Sequence, residues 1–197
     1  MRIAGAVEWG IAVVDRLRGR DYRSVPSPEA LGFASGDVHR ATPSNSWMLY
    51  RALRTLGDVR GASILDVGCG RGSAMRVMRA LPFERVDGLE ISDENATIAQ
   101  SYLGERAARR SSVFTADATT FDRYGDYDVL FFYNPFPESV MTSVAAQIAR
   151  CRTDGAPLTV VYNTPRCEAE LLRALPLQHS STLPSDGTNE IRIYTTN

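Results

Sequence analysis

Residues 64–74 read ILDVGCGRGSA: a short apolar strand reaching Asp66, a turn with glycine at 68, 70 and 72, and the start of a helix. Glycine at these positions lets the backbone bend where other residues would clash, and lets a ligand approach it closely. The helix that follows offers its free N–H groups and the positive end of its dipole to that turn. Taken alone, the stretch is a weak signal, since such turns also bind dinucleotides or serve as a tight turn without a ligand. Its neighbours decide between them.

Downstream, strand-like and helix-like segments alternate. SILDV, RVDGLEI, SVFTADA, YDVLFFYN and APLTVVYN read as strands. GSAMRVMRAL, DENATIAQSYLGERAAR, ESVMTSVAAQIARC and CEAELLRAL read as helices. The chain closes with two strand candidates, LQHSSTL and EIRIYTT, joined by PSDGTN. Alternation predicts a mainly parallel sheet with helices on both faces. The short last connection can only join antiparallel neighbours. The expected fold is therefore α/β and Rossmann-like: a doubly wound, mainly parallel seven-stranded sheet ending in an antiparallel hairpin.

Upstream, Thr42-Pro43-Ser44 reads as a helix start, with Thr42 as cap and Pro43 in the first turn. That helix carries Trp47, Leu49, Tyr50, Leu53 and Leu56 and is expected to end near Gly57. Residues 19–41 are rich in Pro, Gly, Ser and charge, as an irregular connection or a lid would be. Before them, Ile3, Val7, Ile11, Val14 and Leu17 share one face of an expected amphipathic helix. Glu8 interrupts the apolar run, and no small-residue cleavage site follows, so a packed helix fits better than a signal peptide. The division expected is an N-terminal helix and lid over residues 1–41, capping a main unit over 42–197, within one structural domain.

The chain has 197 residues, 44% of them apolar and 23% charged, enough for one core without disulfides. Its net charge of −1 offers no general basic field for nucleic acid. All cationic side chains counted as Lys or Arg are Arg, which excludes Schiff-base, pyridoxal-phosphate and phosphate-loop lysines. Cys69, Cys151 and Cys167 are far apart, and the histidines are His39 and His179, so zinc and heme spacing is lacking. No metal is expected, and a reduced, cytoplasmic setting is.

Two more acids give the glycine turn its context. Glu90 closes the second expected strand and Asp117 the third, so with Asp66 three successive strands end in a carboxylate on one sheet edge. Open α/β sheets bind ligands at that edge. Glu90 is placed to accept from ribose hydroxyls. Asp117 can accept from an exocyclic amine, with the Ala118 amide offered to a ring nitrogen. Each acid could also serve as a helix or turn cap.

In these motifs residues 63–197 resemble the class I S-adenosylmethionine-dependent methyltransferases. LDVGCGRG is similar to their first motif, GLEIS to the acidic second, TADA to the adenine-contacting one, and VLFFYNPF to the fourth. A looser likeness points to small bacterial members. A dinucleotide dehydrogenase fits less well: Ser73 stands where its fingerprint needs glycine or alanine, the terminal hairpin is foreign to it, and no substrate domain remains.

The resemblance implies S-adenosylmethionine as cofactor. It places Asp66, Gly68 and Gly70 around the methionine part, Glu90 at the ribose, and Asp117 with Ala118 at the adenine, with Cys69 and Ile91 as further cofactor contacts. Asn134 is expected beside the methyl group, as a cofactor contact or a catalytic residue. Asn134-Pro135-Phe136-Pro137 resembles the Asn/Asp-Pro-Pro-aromatic motif of enzymes acting on amino groups, with the aromatic moved one place. His39 is either a general base brought in by the lid or a solvent-exposed histidine. Phe136, Trp47, Tyr50 and Asn163 are candidate acceptor contacts, each with a core or strand-ending role as the alternative. The expected acceptor is a small molecule or saccharide, at N or O; a protein or RNA acceptor, and a non-catalytic binder of the cofactor, are the other readings. No membrane partner is expected, and the chain is expected to be a monomer or homodimer.

Overall fold

A computed structural model of the chain describes residues 13, 15–17, 19–22, 46–104, 110–133, 135–152, 155–184 and 190–196. Helix α1 is Ser46–Arg54. Strand β1 (Ser63–Val67) is followed by α2 (Ser73–Met78), β2 (Arg85–Glu90) and α3 (Asp93–Leu103). Next come β3 (Val113–Thr115), a one-turn 3-10 helix (Tyr124–Asp126), β4 (Val129–Tyr133) and α4 (Glu138–Cys151). The chain ends with β5 (Thr159–Asn163), α5 (Glu168–Ala174), β6 (Leu177–Pro184) and β7 (Glu190–Thr196).

The strands form one seven-stranded sheet in the order β3-β2-β1-β4-β5-β7-β6. Neighbours are parallel from β3 through β5, and β7 runs antiparallel to both β5 and β6. The doubly wound sheet and closing hairpin are those expected. The strand order reverses between β1 and β4, and the glycine turn leaves the sheet at that point.

Two cores account for the two layers of helix. Ile64, Val129, Phe131 and Val161 point to one face, where α1 contributes Leu49 and Leu53 and α2 contributes Met75 and Met78. Leu65, Leu130, Phe132, Val160 and Tyr162 point to the other, against Val144, Ala145 and Ile148 of α4 and Leu171 of α5. The alternation along β4 is the period-2 pleat of a strand buried on both sides. Each fully buried phenylalanine there stabilises the sheet by about 1.5–3 kcal/mol.

Several elements are shorter than the sequence suggests. The third strand ends at Thr115, because the chain turns once the Ala116 amide has bonded the Glu90 carbonyl at 3.0 Å. Asp117 consequently lies on the turn beyond β3 rather than closing it. Helix α3 stops at Leu103, where Gly104 takes a positive φ of 71°, and α1 stops at Arg54 rather than near Gly57. Thr42 and Pro43, the expected start of α1, lie outside the described residues, as do Ile3, Val7, Ile11 and Val14.

Val13 and residues 15–17 are helical, but Leu17, expected on the packed face, is 82% exposed. Asp15 takes the inward position instead, because Arg76 of α2 supplies a counter-charge there. Tyr22 then packs edge-on against Tyr102 of α3 at 5.0 Å, beneath the Arg76 guanidinium. The N-terminal segment is thus tied to the α2 and α3 face. Among the described residues, no helix is long and apolar enough to cross a membrane.

Candidate active site

The glycine turn is built by conformation and by close packing. Gly68, Gly70 and Gly72 all have positive φ, at 79°, 53° and 80°, a region that penalises any residue with a Cβ. Gly68 also faces β4's exit: a Cβ there would stand 2.9 Å from Cβ of Pro135. The amides of Gly68 and Cys69 both bond the Leu89 carbonyl of β2, at 2.8 and 3.0 Å. Gly88, beneath them, leaves room for the sulfurs of Cys69 and Met75, each of which would lie 2.6 Å from an added Cβ.

Glu90 clamps this turn to the start of α3. One carboxylate oxygen accepts from the Gly70 amide at 2.9 Å and the other from the Ser92 amide at 2.9 Å. Burial pushes the Glu90 carboxyl above the ordinary range, while the Ser92, Gly70 and Ile91 amides and the Asn95 side chain draw it back. Ser92 caps α3 by accepting from the Asn95 amide at 3.3 Å. Ile91, at 40% exposure, is an apolar side chain left open directly beside Glu90.

Asp66 differs in kind. It is 2% exposed, lies between Gly88 of β2 and Phe131 of β4, and its Oδ2 has no hydrogen-bond partner among the described residues. Burial and the neighbouring Glu90 carboxylate push its carboxyl up to about 8, against the pull of the Met75 amide. Burial likewise raises the Cys69 thiol well above its usual value, so it stands protonated. Arg71, the basic residue of the turn, reaches outward to Asn95 at 3.3 Å, Glu94 at 3.5 Å and Asp21 at 3.9 Å.

Asp117 caps its own turn, with Oδ1 accepting from the Thr119 amide and hydroxyl at 2.8 Å each. Its side chain is exposed, and Ala118 beside it is buried, with its carbonyl bonded by the Tyr124 hydroxyl at 2.9 Å. The capping alternative and the edge position hold together here.

The other half of the edge is built differently. Asn134 and His39 lie outside the described residues. Pro135 seats against Gly68, and Phe136 packs half-buried on the core, its carbonyl 3.6 Å from the Cys167 thiol. Asn163 ends β5 opposite Tyr133; it is 2% exposed, and its Oδ1 accepts from the Thr164 hydroxyl at 3.3 Å. Thr164 follows with φ of 55°, a strained state for a β-branched residue. Trp47 and Tyr50 stack on α1 with centroids 6.4 Å apart, Trp47 being 37% exposed.

Asp66, Gly68, Cys69, Gly70, Glu90 and Ile91 therefore gather at one turn, with Asp117 and Ala118 on the adjoining one. Pro135, part of the Asn-Pro-Phe-Pro motif, joins them through its contact with Gly68, and Arg71 and Asn95 join them without having been singled out from the sequence. Arg71 carried a signal in its place between two turn glycines; Asn95 matters only through contacts made in three dimensions.

A family model described as a methyltransferase domain matches residues 64–155. Solved structures share the fold at low identity. Magnesium protoporphyrin IX methyltransferase from Synechocystis PCC 6803, with S-adenosylmethionine bound, is 20% identical over 76% of each chain, with a TM-score of 0.58. The methyltransferase domain of a bacterial CtHen1 is 17% identical over 77% of this chain and 98% of that one, at 0.62. An S-adenosylmethionine-dependent methyltransferase from Aquifex aeolicus is 14% identical over 76% and 89%, at 0.59.

Proposed function

We propose that the chain is a class I S-adenosylmethionine-dependent methyltransferase that methylates a small-molecule or saccharide acceptor at nitrogen or oxygen. The observation that carries the cofactor side is Glu90. Its carboxylate, fixed by the Gly70 and Ser92 amides at 2.9 Å each, stands at the carboxyl edge of the sheet and accepts from the ribose hydroxyls. Asp66, Gly68, Cys69 and Gly70 take the methionine part, Ile91 lies along the nucleoside, and Asp117 with the Ala118 amide reads the adenine.

The bound sulfonium supplies the methyl group and leaves as a neutral thioether. The protein's task is alignment and exclusion of water. The glycine turn fixes the donor side of the line of attack, and Pro135, seated on Gly68, sets where β4 hands over to the acceptor side. Asn134 and Phe136 orient the acceptor there. Trp47, Tyr50 and Asn163 belong to the acceptor side. His39 serves as base where the acceptor is an alcohol, which must lose a proton to react.

The net charge of −1 supports a small acceptor over a nucleic acid, and a reduced cytoplasmic setting suits the free thiols of Cys69, Cys151 and Cys167. The test is methyl transfer from labelled S-adenosylmethionine into a panel of amines, alcohols, saccharides, peptides and RNA. Label in a small acceptor, lost in Asn134→Ala with cofactor affinity retained, supports the reading. Label confined to peptide or RNA overturns the acceptor assignment.

A further inference from the structure

Asp66 sits in an environment that works against its charge. Its side chain is 2% exposed, and Oδ2 meets no donor among the described residues. The groups facing it can be named element by element. From β2 comes Glu90, an acid already bonded to two amides; from the turn comes the Cys69 thiol; from α2 comes the Met75 amide; from β4 comes Phe131, which is apolar. The turn's own cation, Arg71, is directed away to Asn95, Glu94 and Asp21. An ionised carboxylate so placed would lie buried beside a second acid without a counter-ion among the described residues, an arrangement proteins avoid by holding the proton.

The ligand proposed for this site brings a cation. Its methionine part carries an ammonium group, and the neighbouring turn residues are those proposed to receive it. We propose that Asp66 is held neutral in the free protein and ionises as the ligand's ammonium arrives, so that binding the cofactor or its demethylated product expels a proton from the site. The balance is simple: the Asp66 carboxyl gives its proton to solvent, and the carboxylate left behind pairs with the incoming ammonium. The O–H bond of the acid is the bond broken, and no oxidant or further reactant is needed. Burial raises the Asp66 carboxyl to about 8 and thereby puts the exchange at neutral pH. The consequence is a ligand filter: adenosyl compounds lacking the amino-acid end leave the acid neutral and forgo the ion pair.

This inference rests on the cofactor reading above, and the experiment separates the two. The full-length protein is titrated calorimetrically with S-adenosylhomocysteine at pH 7 in phosphate and in Tris, whose protonation enthalpies differ. The expected result is an apparent enthalpy that depends on buffer and corresponds to about one proton released per site. Affinity should rise by up to about tenfold per pH unit below pH 8. Titration with 5′-methylthioadenosine, which has no ammonium, should show no buffer dependence, and Asp66→Asn should lose it for S-adenosylhomocysteine. Should that variant not fold, infrared difference spectra of the wild type supply the check, since the carbonyl band of a protonated carboxyl should vanish on binding. Binding heat identical in both buffers, or unchanged proton release in Asp66→Asn, overturns the proposal while leaving the cofactor reading intact. Absence of any binding overturns both.

Discussion

The two halves of the sheet's carboxyl edge are built on opposite plans. On the β1–β2 side, main-chain groups do the work: glycines at positive φ, amides of Gly68 and Cys69 on one carbonyl, and a glutamate bridging two further amides. On the β4–β5 side the features are side chains: Pro135 and Phe136 after β4, a buried Asn163, and a threonine in a left-handed conformation. Backbone recognition suits a ligand that does not vary, whereas side chains can be exchanged without disturbing the turn. Beyond the paired ends of β1 and β4, the halves meet where Gly68 faces Pro135.

Breaking that contact should have the largest effect. Gly68→Ala adds a Cβ 2.9 Å from Pro135 at a φ of 79°, which should cost about 2–4 kcal/mol of stability. Denaturant melts measure that, and cofactor binding and turnover should fail together. Glu90→Ala acts on the backbone-built half alone. It should weaken cofactor binding by about 1–3 kcal/mol through lost charge-assisted hydrogen bonds, as titration calorimetry will show; an unchanged affinity in a folded variant counts against the clamp.

The pH dependence of stability sharpens the contrast between the two acids. Asp66 binds its proton more tightly folded than unfolded, so its contribution is full below the ordinary carboxylate range and declines as pH rises toward about 8. Between pH 6 and 8, the wild type should lose about 2 kcal/mol relative to Asp66→Asn, measured by urea melts at each pH. Parallel curves for the two proteins would mean that Asp66 is charged throughout. The smallest effect is expected on the side-chain half: Thr164→Gly removes the strain at φ 55° and should raise stability by about 1 kcal/mol with cofactor affinity unchanged. A loss of stability would show that contacts of the threonine side chain outweigh its backbone.

The contrast also explains what could be read in the sequence. The backbone half was legible because its chemistry is local: positive-φ glycines must be glycines, and Asp66 and Glu90 sit at or next to the ends of apolar strands. The doubly wound order and the closing hairpin followed from alternation and connection length. The length of β3 was not legible, because the Ala116 amide turns to the Glu90 carbonyl through pairing with a distant strand. Leu17 misled for the same reason, since its helical face is decided by an ion pair between Asp15 and Arg76, 61 residues apart. For Asn163 the sequence left a pocket contact and a strand-ending role open; its burial depends on pairing with Tyr133 and Ile191 on neighbouring strands, which the sequence alone does not display.

The central claim is that this edge holds S-adenosylmethionine across the glycine turn and Glu90. Calorimetric titration of the purified protein with S-adenosylmethionine and with S-adenosylhomocysteine tests it most directly. The account predicts saturable binding of both at a single site, weakened in Glu90→Ala. No heat with either ligand from a folded protein, in any buffer, would contradict it.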